Sequence, residues 1–276
     1  MDSSSGCHRL DELERLCHEK TKELSELVGK EFQLAWPPPG KGELWNIRPW
    51  EIESFMRGYR KLSLFTLEPH IGRPTKNRPD GCPSVRYGGA LMARRKNGQP
   101  YTHEFLRCFE GPKTYLYKPE DIIQMCAATE LVEVYQQPSE RMLLEGPLYA
   151  DASLNIAASN PYAIDLVVFD GPREVGKPVM GGEMKVLRGA HDELVNAMNK
   201  CGGRLLSKKA CGGDHNKCLW IRQNRTVKYL WVCSRGNDDL HQELFKVRRS
   251  IDGGFNLKEV KNQAERDRIL SRQAWS

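Results

Sequence analysis

The chain has 276 residues, with 42 Lys+Arg against 36 Asp+Glu, a formal charge of +6 at pH 7. At 39% hydrophobic and 28% charged residues it has the composition of a globular chain, which excludes a disordered or collagen-like one. Its apolar runs reach only about half a dozen residues, far short of the ~20 that cross a bilayer, so no membrane association is expected. The opening stretch MDSSSGCHRLDELERLC is polar and charged, which predicts no secretory leader. Nine cysteines, an odd and scattered set, then read as reduced thiols of an intracellular, cytoplasmic protein, apart from one cluster described below.

The first predicted helix covers residues 9–28, where Leu10, Leu13, Cys17, Leu24 and Leu27 recur at helical spacing and Gly29 stands at the C-terminal cap. WPPPGKG at 36–42 is a stiff break. Pro49 opens a second helix in which Trp50, Phe55, Met56 and Tyr59 share a face. Asn97-Gly98 predicts a hairpin with strands near 89–96 and 100–109. A third helix starts at Pro119-Glu120-Asp121, its apolar side formed by Ile122, Met125, Cys126, Leu131 and Val134. Beyond it the chain alternates: strands at 146–158, 163–170 and 179–187, a helix at 191–203 stopped by Gly202, and a strand at 228–234. The tail from His241 to Trp275 is predicted mostly helical, with a break at Asp252-Gly253-Gly254. This order predicts an α/β fold, a central mixed β-sheet flanked by helices. Residues 1–139 form an N-terminal helical and basic part and 140–276 the core, packed as one compact unit.

Charge collects in two places. Between residues 71 and 100 the basic residues are Arg73, Lys76, Arg78, Arg86, Arg94, Arg95 and Lys96, against the single acid Asp80. Turns rich in Pro and Gly expose backbone N–H groups there, as a surface meeting double-stranded DNA would require; a solvated charged loop is the other reading. A second basic stretch holds Arg204, Lys208, Lys209, Lys217, Arg222, Arg225 and Lys228.

The constellation with chemical content is Asp165 together with Glu183 and Lys185. Asp165 lies among Ile164, Leu166, Val167, Val168 and Phe169, in a strand that would normally exclude a carboxylate because desolvating it is costly. Glu183 and Lys185 stand two apart on the next strand and therefore share a face. Two carboxylates and an ammonium on adjacent strands would repel or pair. A divalent cation preferring oxygen ligands, Mg²⁺ above all, relieves the repulsion; an ordinary ion pair on the sheet face is the alternative.

This arrangement resembles the PD-(D/E)XK nuclease superfamily, whose pattern is an acid, a variable gap and acid–any–lysine on the next strand, then a helix and another strand. Asp165, Glu183-Met184-Lys185, HDELVNAMNK and KYLWVCS match it over roughly residues 140–235, although Pro161 stands four residues before the acid. The resemblance implies a restriction-endonuclease-like core and a Mg²⁺-dependent DNA endonuclease, a homodimer of restriction type. It implies that Asp165, Glu183 and the backbone carbonyl of Met184 hold the metal and that Lys185 serves the attacking water. It also implies a further carboxylate from upstream, for which Glu145, Glu133 and Glu130 qualify.

Cys201, Cys211, His215 and Cys218 form a set of three thiols and one imidazole that could hold zinc, at a spacing unlike a standard finger. His191 sits near enough in sequence to assist phosphate binding, or simply starts its helix. Neither a hydrolase elbow, a Walker A sequence nor a dinucleotide fingerprint is present. The rival to the nuclease is a non-catalytic nucleic-acid-binding protein with a zinc-stabilised 201–218 segment.

Overall fold

A computed structural model describes residues 32–33, 46–71, 83–92, 102–108, 114–116, 119–201 and 214–271. Elements follow in the order β1 (Phe32–Gln33), β2 (Asn46–Ile47), α1 (Pro49–Met56), β3 (Thr66–Ile71), β4 (Pro83–Gly88), β5 (His103–Cys108), β6 (Thr114–Leu116), α2 (Pro119–Glu133) and β7 (Met142–Leu148). Then come β8 (Asn160–Phe169), β9 (Pro178–Lys185), α3 (Arg188–Cys201), α4 (His215–Gln223), β10 (Tyr229–Arg235), β11 (Leu240–Arg249), β12 (Phe255–Glu259) and α5 (Gln263–Leu270). The helix expected at 9–28 and the WPPPGKG break lie outside the described residues.

Six strands build the central sheet in the order β12-β11-β10-β9-β8-β7. β7, β8 and β9 form an antiparallel meander, and β10 runs parallel to β9. A parallel neighbour needs a crossover, and α3 and α4 supply it. The sheet is thus mixed and flanked by helices, as the α/β reading expects. A second sheet, order β3-β4-β5-β6, is antiparallel throughout.

Side-chain alternation sorts the core into two layers. On β10, Trp231 and Cys233 join α1 and α2 in one cluster, with Phe55, Ile122, Ile123, Leu131, Leu166 and Met184. Leu230 and Val232 point to the other side and meet Leu194 and Met198 of α3 and Trp220 and Ile221 of α4. The first cluster runs from Phe55 to Leu270, so it draws on both parts of the chain separated at 139/140. α2 is buried nearly all round, since Ile122, Ile123, Met125, Cys126, Ala127 and Ala128 are all inside. α4 comes close to the sheet because Gly181 has no side chain: a Cβ there would lie 2.8 Å from the Trp220 ring.

Four expectations are corrected. β4 ends at Gly88, because Gly89 takes φ +122 against the backbone of Leu64 and Thr66, so residues 89–92 of the strand predicted at 89–96 belong to no strand of a sheet and 93–96 lie outside the described residues. Asn97-Gly98 lies outside the described residues. The strand predicted at 146–158 is β7, ending at Leu148; Asp151 accepts from Ser153 N at 2.9 Å and starts a short 3₁₀ turn instead. α2 ends at Glu133, which leaves Val134 outside its apolar side and 56% exposed.

The tail differs most. It is the hairpin β11–β12, followed by the short α5, whose cap is Asn262 accepting from Glu265 N at 2.9 Å. Leu240 and Leu244 are four apart, a spacing close to one helical turn and also a multiple of two. Phe245 and Val247 complete the strand pattern on the opposite face. The expected break at 252–254 is the hairpin turn, with Gly253 at φ +79 and Gly254 N donating to Asp252 Oδ1 at 3.1 Å.

Candidate active site

The register of the central sheet lines up three carboxylates. Leu166 pairs with Gly182, so the next position sets Asp165 beside Glu183. Leu144 pairs with Leu166 and Gly146 with Ile164, which sets Glu145 beside Asp165 on its other flank. Adjacent strands lie about 4.8 Å apart. Glu145 has φ +61, and the alternation of β7 breaks there: Leu144 belongs to the α2 cluster, Leu148 to the α3/α4 cluster.

Asp165 is half-buried and its carboxylate is turned toward β9, where Oδ2 accepts the Met184 N–H at 2.7 Å. Its own carbonyl accepts from Gln124 Nε2, which also donates to Glu145 Oε1 at 3.2 Å, while Tyr87 OH donates to Gln124 Oε1 at 3.0 Å. These groups border a cavity of about 350 Å³ lined by His103, Glu120, Asp121, Gln124, Glu145, Tyr162 and Asp165. His103 stacks on Tyr87 at 5.5 Å and meets the Tyr162 ring edge-on at 5.2 Å.

Glu183 is 0% exposed. Burial, reinforced by the Asp165 charge and opposed by Lys217 and Lys185, pushes its carboxyl up to about 8. Lys217 Nζ stands 3.3 Å from Glu183 Oε2 and Lys185 Nζ 3.7 Å from the same oxygen. Lys217 also pairs with Asp214 at 3.4 Å. Burial acts to lower the Lys217 ammonium, yet Glu183, Asp165 and Asp214 outweigh it and hold it above the usual lysine range. Despite the short Lys217 distance, neither Glu183 oxygen receives a directed hydrogen bond among the described residues. A buried carboxylate left this way is costly unless something else completes it.

A divalent cation fits that requirement. Mg²⁺ takes one or two carboxylates and keeps water or substrate oxygens in its remaining positions. Glu183, Asp165 and the Met184 carbonyl are the groups that would hold it. Among the described residues no group of three or more His, Cys, Asp and Glu side chains is arranged to hold a metal ion. A two-carboxylate site does not need one.

Of the upstream acids, the structure brings Glu145 to the cavity. Glu130 and Glu133 lie six and nine residues beyond Gln124 on α2, about 9 Å or more along its axis. Glu130 accepts from Gln242 at 3.3 Å, and Glu133 pairs with Arg57 at 2.7 Å and Lys61 at 3.1 Å. Of the basic segment only Arg86 is described, in β4 between Glu68 and Glu104 in register. Arg73, Lys76, Arg78, Arg94, Arg95 and Lys96 lie outside the described residues, as do Arg204, Lys208 and Lys209.

In the zinc set Cys201 carries a disulfide, and it and Cys218 are buried in the apolar layer. His215 begins α4; Cys211 lies outside the described residues. His191 is fully buried inside the first turns of α3, with Nε2 3.1 Å from Glu243 Oε2. Burial, with His241 adding and Glu243 opposing, lowers its pKa.

Sequence reasoning treated Lys217 as one surface cation among several. The signal it overlooked is that Lys217 shares a helical face with Trp220 and Ile221, three and four residues on, both buried. Glu243 gave a similar signal, on the same strand face as Phe245 and Val247. Gln124, His103 and Tyr162 carried none, because the sheet register and the approach of α2 alone bring them to Asp165. No helix among the described residues is long and apolar enough to cross a membrane. Compared with known proteins, the chain matches no family model, no curated protein and no solved structure.

Proposed function

We propose that this protein is a Mg²⁺-dependent DNA endonuclease with a restriction-endonuclease-like core, hydrolysing phosphodiester bonds and acting as a restriction-type homodimer. One observation carries the reading: Glu183, fully buried, sits beside Asp165 and two lysines with both carboxylate oxygens lacking directed hydrogen bonds. A purely structural glutamate at that depth would have its oxygens satisfied. The succession of meander, helix and parallel strand after Asp165 gives further support, because it follows the order the PD-(D/E)XK resemblance implies.

Asp165 and Glu183, with the Met184 carbonyl, would hold the cation, and the Met184 N–H keeps the Asp165 carboxylate aimed across the strands. A bound Mg²⁺ supplies Lewis-acid polarisation of the scissile phosphate and a more acidic water. Lys185 orients the attacking water and offsets charge that develops on the phosphate. Lys217 holds Glu183 from α4. Glu145 stands on the far flank of Asp165, at the cavity.

The test is incubation of supercoiled plasmid with the protein in Mg²⁺ and in EDTA, beside Lys185→Ala. Nicking and linearisation in Mg²⁺ alone, lost in the variant, are the expected result. Cleavage by Lys185→Ala at the wild-type rate would sink the assignment. Tight DNA binding without cleavage by the wild type would replace it with the binding-protein reading.

A further inference from the structure

The sheet face that carries Glu183 stays polar beyond it. The β9–β10 register aligns Lys185 with Ser234, and the β10–β11 register aligns Ser234 with His241. One row away, Glu183 aligns with Val232 and Val232 with Glu243. Val232 and Phe245 lie in the α3/α4 layer. Ser234, His241 and Glu243 stand an even number of residues from them and so project from that same face. Above the far end, His191 of α3 completes the group. Glu243 Oε2 lies 3.1 Å from His191 Nε2 and Oε1 3.3 Å from His241 Nε2, with the two rings 5.5 Å apart.

Two polar atoms in this row are left over. Ser234 is 0% exposed, yet its Oγ makes no hydrogen bond among the described residues, and the same holds for His241 Nε2, whose contact with Glu243 is close but poorly directed. An orphaned buried hydroxyl is costly when nothing completes it. The position matters too. Lys185 ends β9 and Ser234 stands next to the last residue of β10, at the carboxyl ends of the two parallel strands where ligands of α/β sheets settle.

We propose that Ser234 and His241 form a second phosphate subsite, which takes the phosphate neighbouring the one held at Asp165, Glu183 and Lys185. Glu243 and His191 are its positioning residues. The inference rests on the nuclease reading and extends it: the nucleic-acid strand crosses the sheet from β9 toward β11. Ser234 O–H and the His241 ring N–H are the donors. The charged and titratable groups that align with or contact them are Lys185 from β9, Glu243 from β11 and His191 from α3.

The experiment reads binding without cleavage. A fluorescent DNA duplex is titrated with the full-length protein in EDTA, intact and with a neutral methylphosphonate substituted at successive positions. Ser234→Ala with His241→Ala is expected to weaken binding about tenfold and to lower the salt slope by about 1. One methylphosphonate position that penalises the wild type should no longer penalise the double variant. His241→Gln, which keeps a donor, should restore part of the loss, and thermal melts should show all variants folded. An unchanged methylphosphonate penalty in the folded double variant would overturn the subsite. Plasmid left intact in Mg²⁺ while the coupling persists would remove the nuclease reading alone, and cleavage without coupling would remove the subsite alone. Failure to bind any duplex would overturn both.

Discussion

Two glutamates, both 0% exposed, sit on opposite sides of the central sheet, and they are held in opposite ways. Glu51, at the start of α1, receives Arg235 on both oxygens, with Nη2 at 3.0 Å, and the Arg48 N–H at 2.8 Å. Glu183, on the α3/α4 side, has two ammonium groups at 3.3 and 3.7 Å and no directed hydrogen bond. Burial raises both carboxyls. At Glu51 the guanidinium fork answers with matched geometry. At Glu183 the Lys217 contact is short but poorly angled, so the lysines answer mainly with charge and leave lone pairs open. Both Glu51 oxygens are bonded and tie α1 to β10, although Arg235 Nη1 makes no hydrogen bond among the described residues; the Glu183 oxygens are the ones the proposed cation would take.

The largest effect that tests this contrast is on cleavage. Glu183→Gln removes the charge but keeps the shape, and plasmid nicking in Mg²⁺ should fall by about 10²–10³-fold or more, with the fold intact. Glu51→Gln should leave cleavage near wild type. If both behave alike, the two sites are not distinct in kind.

Next comes stability. Glu51→Ala strips Arg235 of its partner and leaves a buried charge, a loss of about 3–5 kcal/mol in urea unfolding. Glu183→Gln should cost far less, and in EDTA it should gain stability at pH 8.

The pH dependence sharpens the same point. Glu183 titrates near 8 in the folded protein against 4.5 for the free carboxyl, so the folded state holds its proton longer. That contribution is fully present below about 4.5 and is lost as pH rises through about 8. Metal-free wild type should therefore lose stability, on the order of a few kcal/mol, between pH 5 and 8 relative to Glu183→Gln. Added Mg²⁺ should raise the wild-type melting temperature more at pH 8 than at pH 6, and not in the variant. An equal shift in both would place the cation elsewhere.

The smallest effect concerns how close α4 approaches. A Cβ at Gly181 meets the Trp220 ring at 2.8 Å, so Gly181→Ala should cost about 1–3 kcal/mol and displace Lys217 with its helix. Cleavage should drop with it. Loss of stability without any change in cleavage would show that Lys217 need not be held so near Glu183.

Much of the central core was legible in the chain. Asp165 within Ile164–Phe169, Glu183 and Lys185 two apart, and the Pro that opens α2 are local signals, set by strand alternation and backbone chemistry that neighbouring residues alone determine. The tail was misread for an equally local reason, because Leu240 and Leu244 satisfy the helical and the strand period together. The pairing of β11 with β10 decided the matter, since only a strand buries Leu244 and Phe245 on opposite faces of one sheet.

What the sequence determined by itself is the inventory: an α/β chain, a carboxylate placed where desolvation makes it expensive, and an acid and a lysine on one face of the next strand. Tertiary structure alone decided who stands beside them. Lys217 comes from the second helix of the crossover, Gln124 from the helix before the meander and Glu145 from its first strand, and Ser234 and His241 from two strands further along the sheet. The physical reason is that strand register and helix packing set distances across the sheet, and these depend on contacts between residues far apart in the chain. Alternation within one strand says which face a side chain takes, never which neighbour it will find there.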